Sequence, residues 1–136
     1  MSHPIPETLS NDLKTELQAI DNDIKDLKGI IDKYRTANNN VHAKAVEMHA
    51  AFVVAARQGV SLDLKQKRVQ DLFHKIHEFD SEMALTGDSR GKEISHRFKL
   101  HAEKFFKEAS KDNLDEQGIA IIQHLAESLD KYFPRT

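Results

Sequence analysis

Histidine and carboxylate side chains are the groups with which this chain could do metal chemistry. The 136 residues include eight histidines and no cysteine, so disulfides, thiolate zinc sites and cysteine nucleophiles are excluded. Helical bundles build metal sites from inward-facing His, Glu and Asp, and a Glu-x-x-His spacing places two ligands on one helix face. Glu93 and His96 have this spacing, as do Asp71 and His74 with the shorter acid.

Three histidines fall on, or at the border of, the core side of three predicted helices. At about 100° per residue, His49, His77 and His101 lean inward, whereas His96 and His124 face outward. Three imidazoles could hold zinc or iron and leave one coordination position open. In the alternative interpretation, each ring is a boundary histidine hydrogen-bonded to backbone or water. A third interpretation is a proton-responsive cluster of histidines, since protonating all eight would change the formal net charge from −2 to +6.

No recognised catalytic motif accompanies these groups. The chain lacks a phosphate-binding glycine loop, His-Glu-x-x-His and Gly-x-Ser-x-Gly. The Ser-x-x-Lys match at 89–92 has no supporting motif. Basic residues cluster at 65–68 and between Arg90 and Lys111, but a net charge of −2 argues against a nucleic-acid-binding protein. The sequence therefore favours a protein that is not an enzyme.

The most specific pattern is an apolar seam near the N-terminus. Its residues alternate at spacings of four and three, the heptad pattern of helices that pack side by side. The seam consists of Leu13, Leu17, Ile20, Ile24, Leu27, Ile31 and Tyr34. Its partner could be the rest of this chain, a second copy in a homodimer, or the groove of another protein.

The elements that carry these residues are all predicted to be helical. All three prolines lie near the ends, and the chain has no strand-like alternation. We expect an all-α helical bundle of four to five helices with a long heptad-patterned N-terminal helix. Residues 1–7 are predicted to be disordered and 8–136 to form one domain, made of a coiled-coil-like helix at 8–36 and a four-helix core at 41–133.

Polar residues and glycines predict where the helices begin and end. Thr8 or Ser10 could cap the first helix, and the asparagines at 38–40 favour a break over one continuous helix. Gly59 is expected to end the second helix and Ser61 to cap the third. The stretch 86–89 is a predicted loop, and Asn113 with Glu116 resembles a capping box.

These observations predict a non-enzymatic module for protein–protein interaction or oligomerisation that uses the apolar seam. The alternative is a metal-binding sensor or storage bundle that uses the three inward histidines. The N-terminus lacks the basic start and apolar run of a signal peptide, and Ala50 to Ala56 is too short to span a bilayer. We therefore expect a cytoplasmic protein without membrane contact.

Overall fold

The computed structural model describes residues 5–34, 40–112 and 114–135. These residues form five α-helices and no strand, so the predicted all-α bundle is confirmed. The helices are α1 (Asn11–Lys33), α2 (Asn40–Arg57), α3 (Lys67–Ala84), α4 (Ser89–Lys111) and α5 (Glu116–Tyr132).

The ends of α1 and α2 follow local signals in the sequence. The Ser10 hydroxyl accepts a hydrogen bond from the Leu13 N–H at 3.2 Å, which confirms it as the cap of α1. Gly59 follows α2 with a φ of +66°, a conformation that glycine adopts without strain. Helix α1 ends at Lys33 and α2 begins at Asn40. Residues 35–39 lie outside the described residues, and they include Asn38 and Asn39, two of the three asparagines at which the break was predicted.

The start of α3 differs from the prediction. This helix begins at Lys67, and the Ser61 hydroxyl donates instead to the carbonyl oxygens of Leu114 at 2.8 Å and Asp115 at 3.0 Å. Ser61 therefore ties the connection between α2 and α3 to the one between α4 and α5, and its prediction as a helix cap is wrong. The predicted cap Asn113 lies outside the described residues.

The five helices form a closed ring around one core. Helix α1 packs beside α4, α4 beside α3, α3 beside α2, α2 beside α5, and α5 beside α1. The seam helix is therefore one wall of the same bundle as the segment 41–133. Five phenylalanines are fully buried inside the ring: Phe52, Phe79, Phe98, Phe105 and Phe106.

The predicted disordered N-terminus, 1–7, is only partly described. Residues 1–4 lie outside the described residues. Ile5 is half-buried and packs against the core, and Leu9 is buried. Contact with the core therefore begins before the first helix.

Candidate interaction surface

The apolar seam of α1 lies inside the protein. Six of its residues are at most 3% exposed, and Tyr34 is half-buried against the same core. They face the ring interior because α1 packs against α4 and α5. A partner cannot reach the seam while the chain is folded. The expectation that it is an interaction surface is wrong, and the alternative of packing within the chain is correct.

His49 is buried between α2 and α5. Its Nε2 lies 3.2 Å from Asp130 Oδ1, and its Nδ1 lies 3.3 Å from the carbonyl oxygen of Pro134. Both ring nitrogens of the inward-facing His49 therefore lie within hydrogen-bond distance of an oxygen of the same chain, one from a carboxylate and one from the backbone.

The other two predicted metal ligands lie elsewhere. His101 Nδ1 is 2.6 Å from Asp23 Oδ2 on α1, whereas His77 is exposed on α3 with its ring nearly perpendicular to that of Phe73, at 81°. Within the described part of the chain, no group of three or more His, Cys, Asp or Glu side chains could hold a metal ion. The expectation that His49, His77 and His101 converge on zinc or iron is therefore wrong, because neighbouring groups engage each ring separately.

Aspartate–histidine pairs join adjacent helices around the ring. Among the described residues they are Asp23 with His101 (α1 and α4), Asp21 with His124 (α1 and α5), Asp80 with His96 (α3 and α4), and Asp130 with His49 (α5 and α2). The remaining boundary, between α2 and α3, is crossed by the ion pair of Lys44 and Glu78 at 3.4 Å. Each of the five boundaries between adjacent helices is therefore crossed by at least one polar side-chain pair.

Sequence reasoning missed Asp23 and His124 as partners. Asp23 lies three residues after Ile20 and four before Leu27, a spacing that places it beside the buried seam. A carboxylate in that position needs a partner, and this signal could have been found. His124 was expected to face outward, but its Nε2 lies 2.7 Å from Asp21 Oδ2.

The Asp23 carboxylate is the most buried charge of these pairs. It is 2% exposed and accepts from Arg97 Nε at 2.7 Å, while Arg97 Nη2 donates to Asp26 at 3.0 Å. The hydrogen bond to Asp23 raises the pKa of the Arg97 guanidinium. Because a general base must reach its substrate, this enclosed carboxylate is suited to holding α4 on α1 and not to catalysis.

Helix α2 has apolar side chains on its outer side as well as its inner side. Every residue from Ala50 to Ala56 is apolar, yet Phe52 and Ala55 point into the core while Ala50 and Val54 are exposed. Val54 is 49% exposed. The apolar stretch 50–56 is therefore buried on one side of α2 and exposed to solvent on the other. We define the outer face of α2 as Ala43, Glu47, Ala50, Val54 and Arg57, all of which are exposed.

Two open grooves border this face. The groove between α2 and α3 has a volume of about 510 Å³, and Ala51 and Leu72 are among its apolar lining. The groove between α2 and α5 has a volume of about 330 Å³ and is lined in part by Val53, Ala56 and Ala126. Side chains of a helix laid along α2 could enter either groove.

Opposite charges flank Ala50 and Val54 on the outer face. Glu47 pairs with Lys44 at 3.2 Å and approaches Lys75 at 4.0 Å. Hydrogen bonds to Glu47 and then Glu78 raise the pKa of Lys44. Arg57 forms no ion pair within the described residues and lies in the groove that also contains Glu127 and Asp130.

No protein-family model, curated protein or solved structure matches this chain. No helix among the described residues is long and apolar enough to cross a bilayer.

Proposed function

We propose that this protein is a non-enzymatic helical interaction module that binds a partner helix through the outer face of α2. One observation carries the proposal: Ala50 and the 49% exposed Val54 lie on the outside of a helix whose other side is already buried in the core. Covering such apolar surface with a partner contributes roughly 25 cal/mol for each Å² removed from water.

The partner should present a narrow apolar helical face. Ala43 and Ala50 have the shortest apolar side chains, so a second helix axis can approach to about 8 Å. Its larger side chains would enter the grooves beside α2. Acidic and basic groups of the partner would meet Arg57 and Glu47, which flank Ala50 and Val54.

Two further observations support a role other than catalysis. The sequence contains no recognised catalytic motif, and the buried His49 and Asp23 have partners within the chain. We propose the cytoplasm as the location, because the absence of cysteine suits a reducing compartment.

Photo-cross-linking in the native cells tests this proposal. A benzoylphenylalanine is placed at position 54 in one variant and at position 100 in another. Leu100 on α4 is the matched control, because Val54 and Leu100 are both aliphatic and both 49% exposed. We expect position 54 to give one discrete protein adduct that position 100 does not give, with both variants retaining the helical circular dichroism of the parent. No adduct at position 54, or the same adducts at both positions, would contradict the proposal.

A further inference from the structure

We infer that the partner helix is α2 of a second copy of this chain, packed antiparallel on the outer face of the first. This inference rests on the proposed function, since it identifies the occupant of the same surface. It is carried by the arrangement of charge and side-chain size along that face.

Four of the five residues of the outer face are arranged symmetrically about position 52, and Ala43 lies beyond them towards the start of α2. Glu47 and Arg57 lie five residues on either side of it, and Ala50 and Val54 lie two residues on either side. At 100° per residue, these four side chains fall within an arc of about 80° of the helix. A two-fold axis level with position 52 therefore places Ala50 of one copy opposite Val54 of the other. Each copy presents the same surface to the other, as a two-fold interface requires.

Charge complementarity decides the direction of the two helices. In the antiparallel arrangement, Glu47 of each copy is level with Arg57 of the other, so two opposite-charge pairs form. A parallel arrangement would place Glu47 beside Glu47 and Arg57 beside Arg57. The antiparallel dimer also supplies Arg57 with the Glu47 carboxylate, which in its own chain lies 3.2 Å from Lys44 and 4.0 Å from Lys75.

Side-chain size is consistent with the same arrangement. Ala50 is small enough for Val54 of the other copy to lie directly over it. The groove lined by Ala51 and Leu72 runs beside this contact and can receive the remaining part of the Val54 side chain. The two-fold axis generates this contact between Val54 and Ala50 twice, once on each side of the axis.

Sedimentation equilibrium on the purified full chain tests self-association. We expect a concentration-dependent dimer whose dissociation constant rises about tenfold or more in Val54→Asp, because a charge would be buried at the centre of the interface. Leu100→Asp places the same charge on an equally exposed aliphatic position of α4 and should change the constant less than about twofold. A parent protein that is monomeric up to about millimolar concentration would overturn the inference.

Charge reversal tests the proposed ion pairs. Glu47→Arg alone and Arg57→Glu alone each create two like-charge contacts and should weaken the dimer about tenfold. The two substitutions together in one chain restore opposite charges and should recover the dimer. Weakening by neither single change, or no recovery in the double variant, would count against the pairing.

Disulfide cross-linking tests the direction, and the natural chain has no cysteine to interfere. A mixture of Ala50→Cys and Val54→Cys proteins should form the mixed disulfide rapidly. Each variant alone should react slowly, because its own cysteines are offset by four residues, or about 6 Å, along the axis. Rapid reaction of each variant by itself would indicate parallel helices and overturn the antiparallel arrangement.

The outcomes separate this inference from the proposed function. If position 54 cross-links to a different protein and the purified chain stays monomeric, the second-copy inference fails and the interaction module stands. If position 54 gives no adduct and the chain is monomeric, both fail. An adduct with twice the mass of the chain supports both.

Discussion

A single buried carboxylate, Asp23, holds two cationic or polar partners on α4. Arg97 and His101 are about 40% and 38% exposed at their side chains, whereas that of Asp23 is 3% exposed. The acid is therefore the desolvated member, and its burial is compensated by hydrogen bonds from both partners. Buried charges are tolerated when they are paired in this way, and removing one partner is costly.

Replacing Asp23 by alanine should lower the free energy of unfolding by about 2 kcal/mol, because His101 loses its acceptor and Arg97 keeps only Asp26. Urea denaturation at neutral pH measures the change. Asp26→Ala is the matched control, since Asp26 is 45% exposed and should contribute at most about 0.5 kcal/mol. Equal effects of the two substitutions would show that burial of Asp23 is not what makes its pairing important.

Asp88 caps α4, and its contribution should depend on pH. Its carboxylate accepts from the Gly91 N–H at 2.8 Å, and this hydrogen bond lowers the pKa of Asp88 below its usual 3.8. A lowered folded-state pKa means that the stabilisation is fully present above about pH 4. It is lost as the pH falls through the folded-state value.

Asp88→Ala should therefore lower the free energy of unfolding by about 1 kcal/mol at pH 7. The difference from the parent should shrink as the pH falls below 3.8. Urea midpoints measured at pH 7 and near pH 3 test this expectation. Asp88→Asn keeps the capping acceptor without the charge, so its effect should be smaller and nearly independent of pH. A constant difference between Asp88→Ala and the parent would refute the assignment.

At the scale of the helices, a glycine is needed where a neighbouring segment packs too closely against a helix to leave room for a Cβ atom. Helix α5 begins beside the connection between α2 and α3, where the Leu62 N–H donates to the Gly118 carbonyl oxygen at 3.2 Å. A Cβ atom at Gly118 would lie 2.9 Å from the Leu62 backbone nitrogen and still closer to Ser61. Gly29 on α1 has no atom within 4 Å of such a Cβ, so only helix propensity acts there.

Two alanine substitutions should therefore have opposite effects. Gly118→Ala should destabilise the protein by about 2 kcal/mol, because backbone atoms must shift to relieve the clash. Gly29→Ala should stabilise it by about 0.5–1 kcal/mol, because alanine has the higher helix propensity. Thermal unfolding of both variants provides the comparison. If both substitutions stabilise, the approach of Leu62 to α5 is looser than the structure indicates.

At the scale of the whole molecule, α1 closes the ring. It packs between α4 and α5, and its seam residues belong to the same core as the five buried phenylalanines. A polar side-chain pair also crosses each boundary between adjacent helices. The bundle should therefore unfold as one cooperative unit, with no independently stable segment lacking α1.

Substitution of Leu17, a seam residue, tests whether the bundle unfolds as one cooperative unit. Its side chain is fully buried, so Leu17→Ala should cost about 3 kcal/mol. The loss should appear equally in the helical signal and in the tyrosine signal. The surface substitution Leu100→Ala on α4 should change stability by less than about 0.5 kcal/mol. If seam substitution left residues 41–133 folded, α1 would be an appended helix and not a wall of the core.

The sequence by itself determined the helical class, the buried side of α1 and several helix ends. Hydrophobic periodicity reports which side of a helix is removed from water, and caps such as Ser10 and Gly59 act within a few residues of chain. These are local effects, so one sequence is enough to recognise them.

Only the tertiary structure decided which residues contact each buried or exposed face of a helix. The seam of α1 is buried against other helices of the same chain, and His49 contacts Asp130. Ser61 hydrogen-bonds to the connection between α4 and α5 instead of capping α3. The exposed side of α2 became visible only once α3 and α5 were placed on either side of it. Periodicity says that a face is apolar, but the helices that cover it are chosen by packing between residues far apart in the chain.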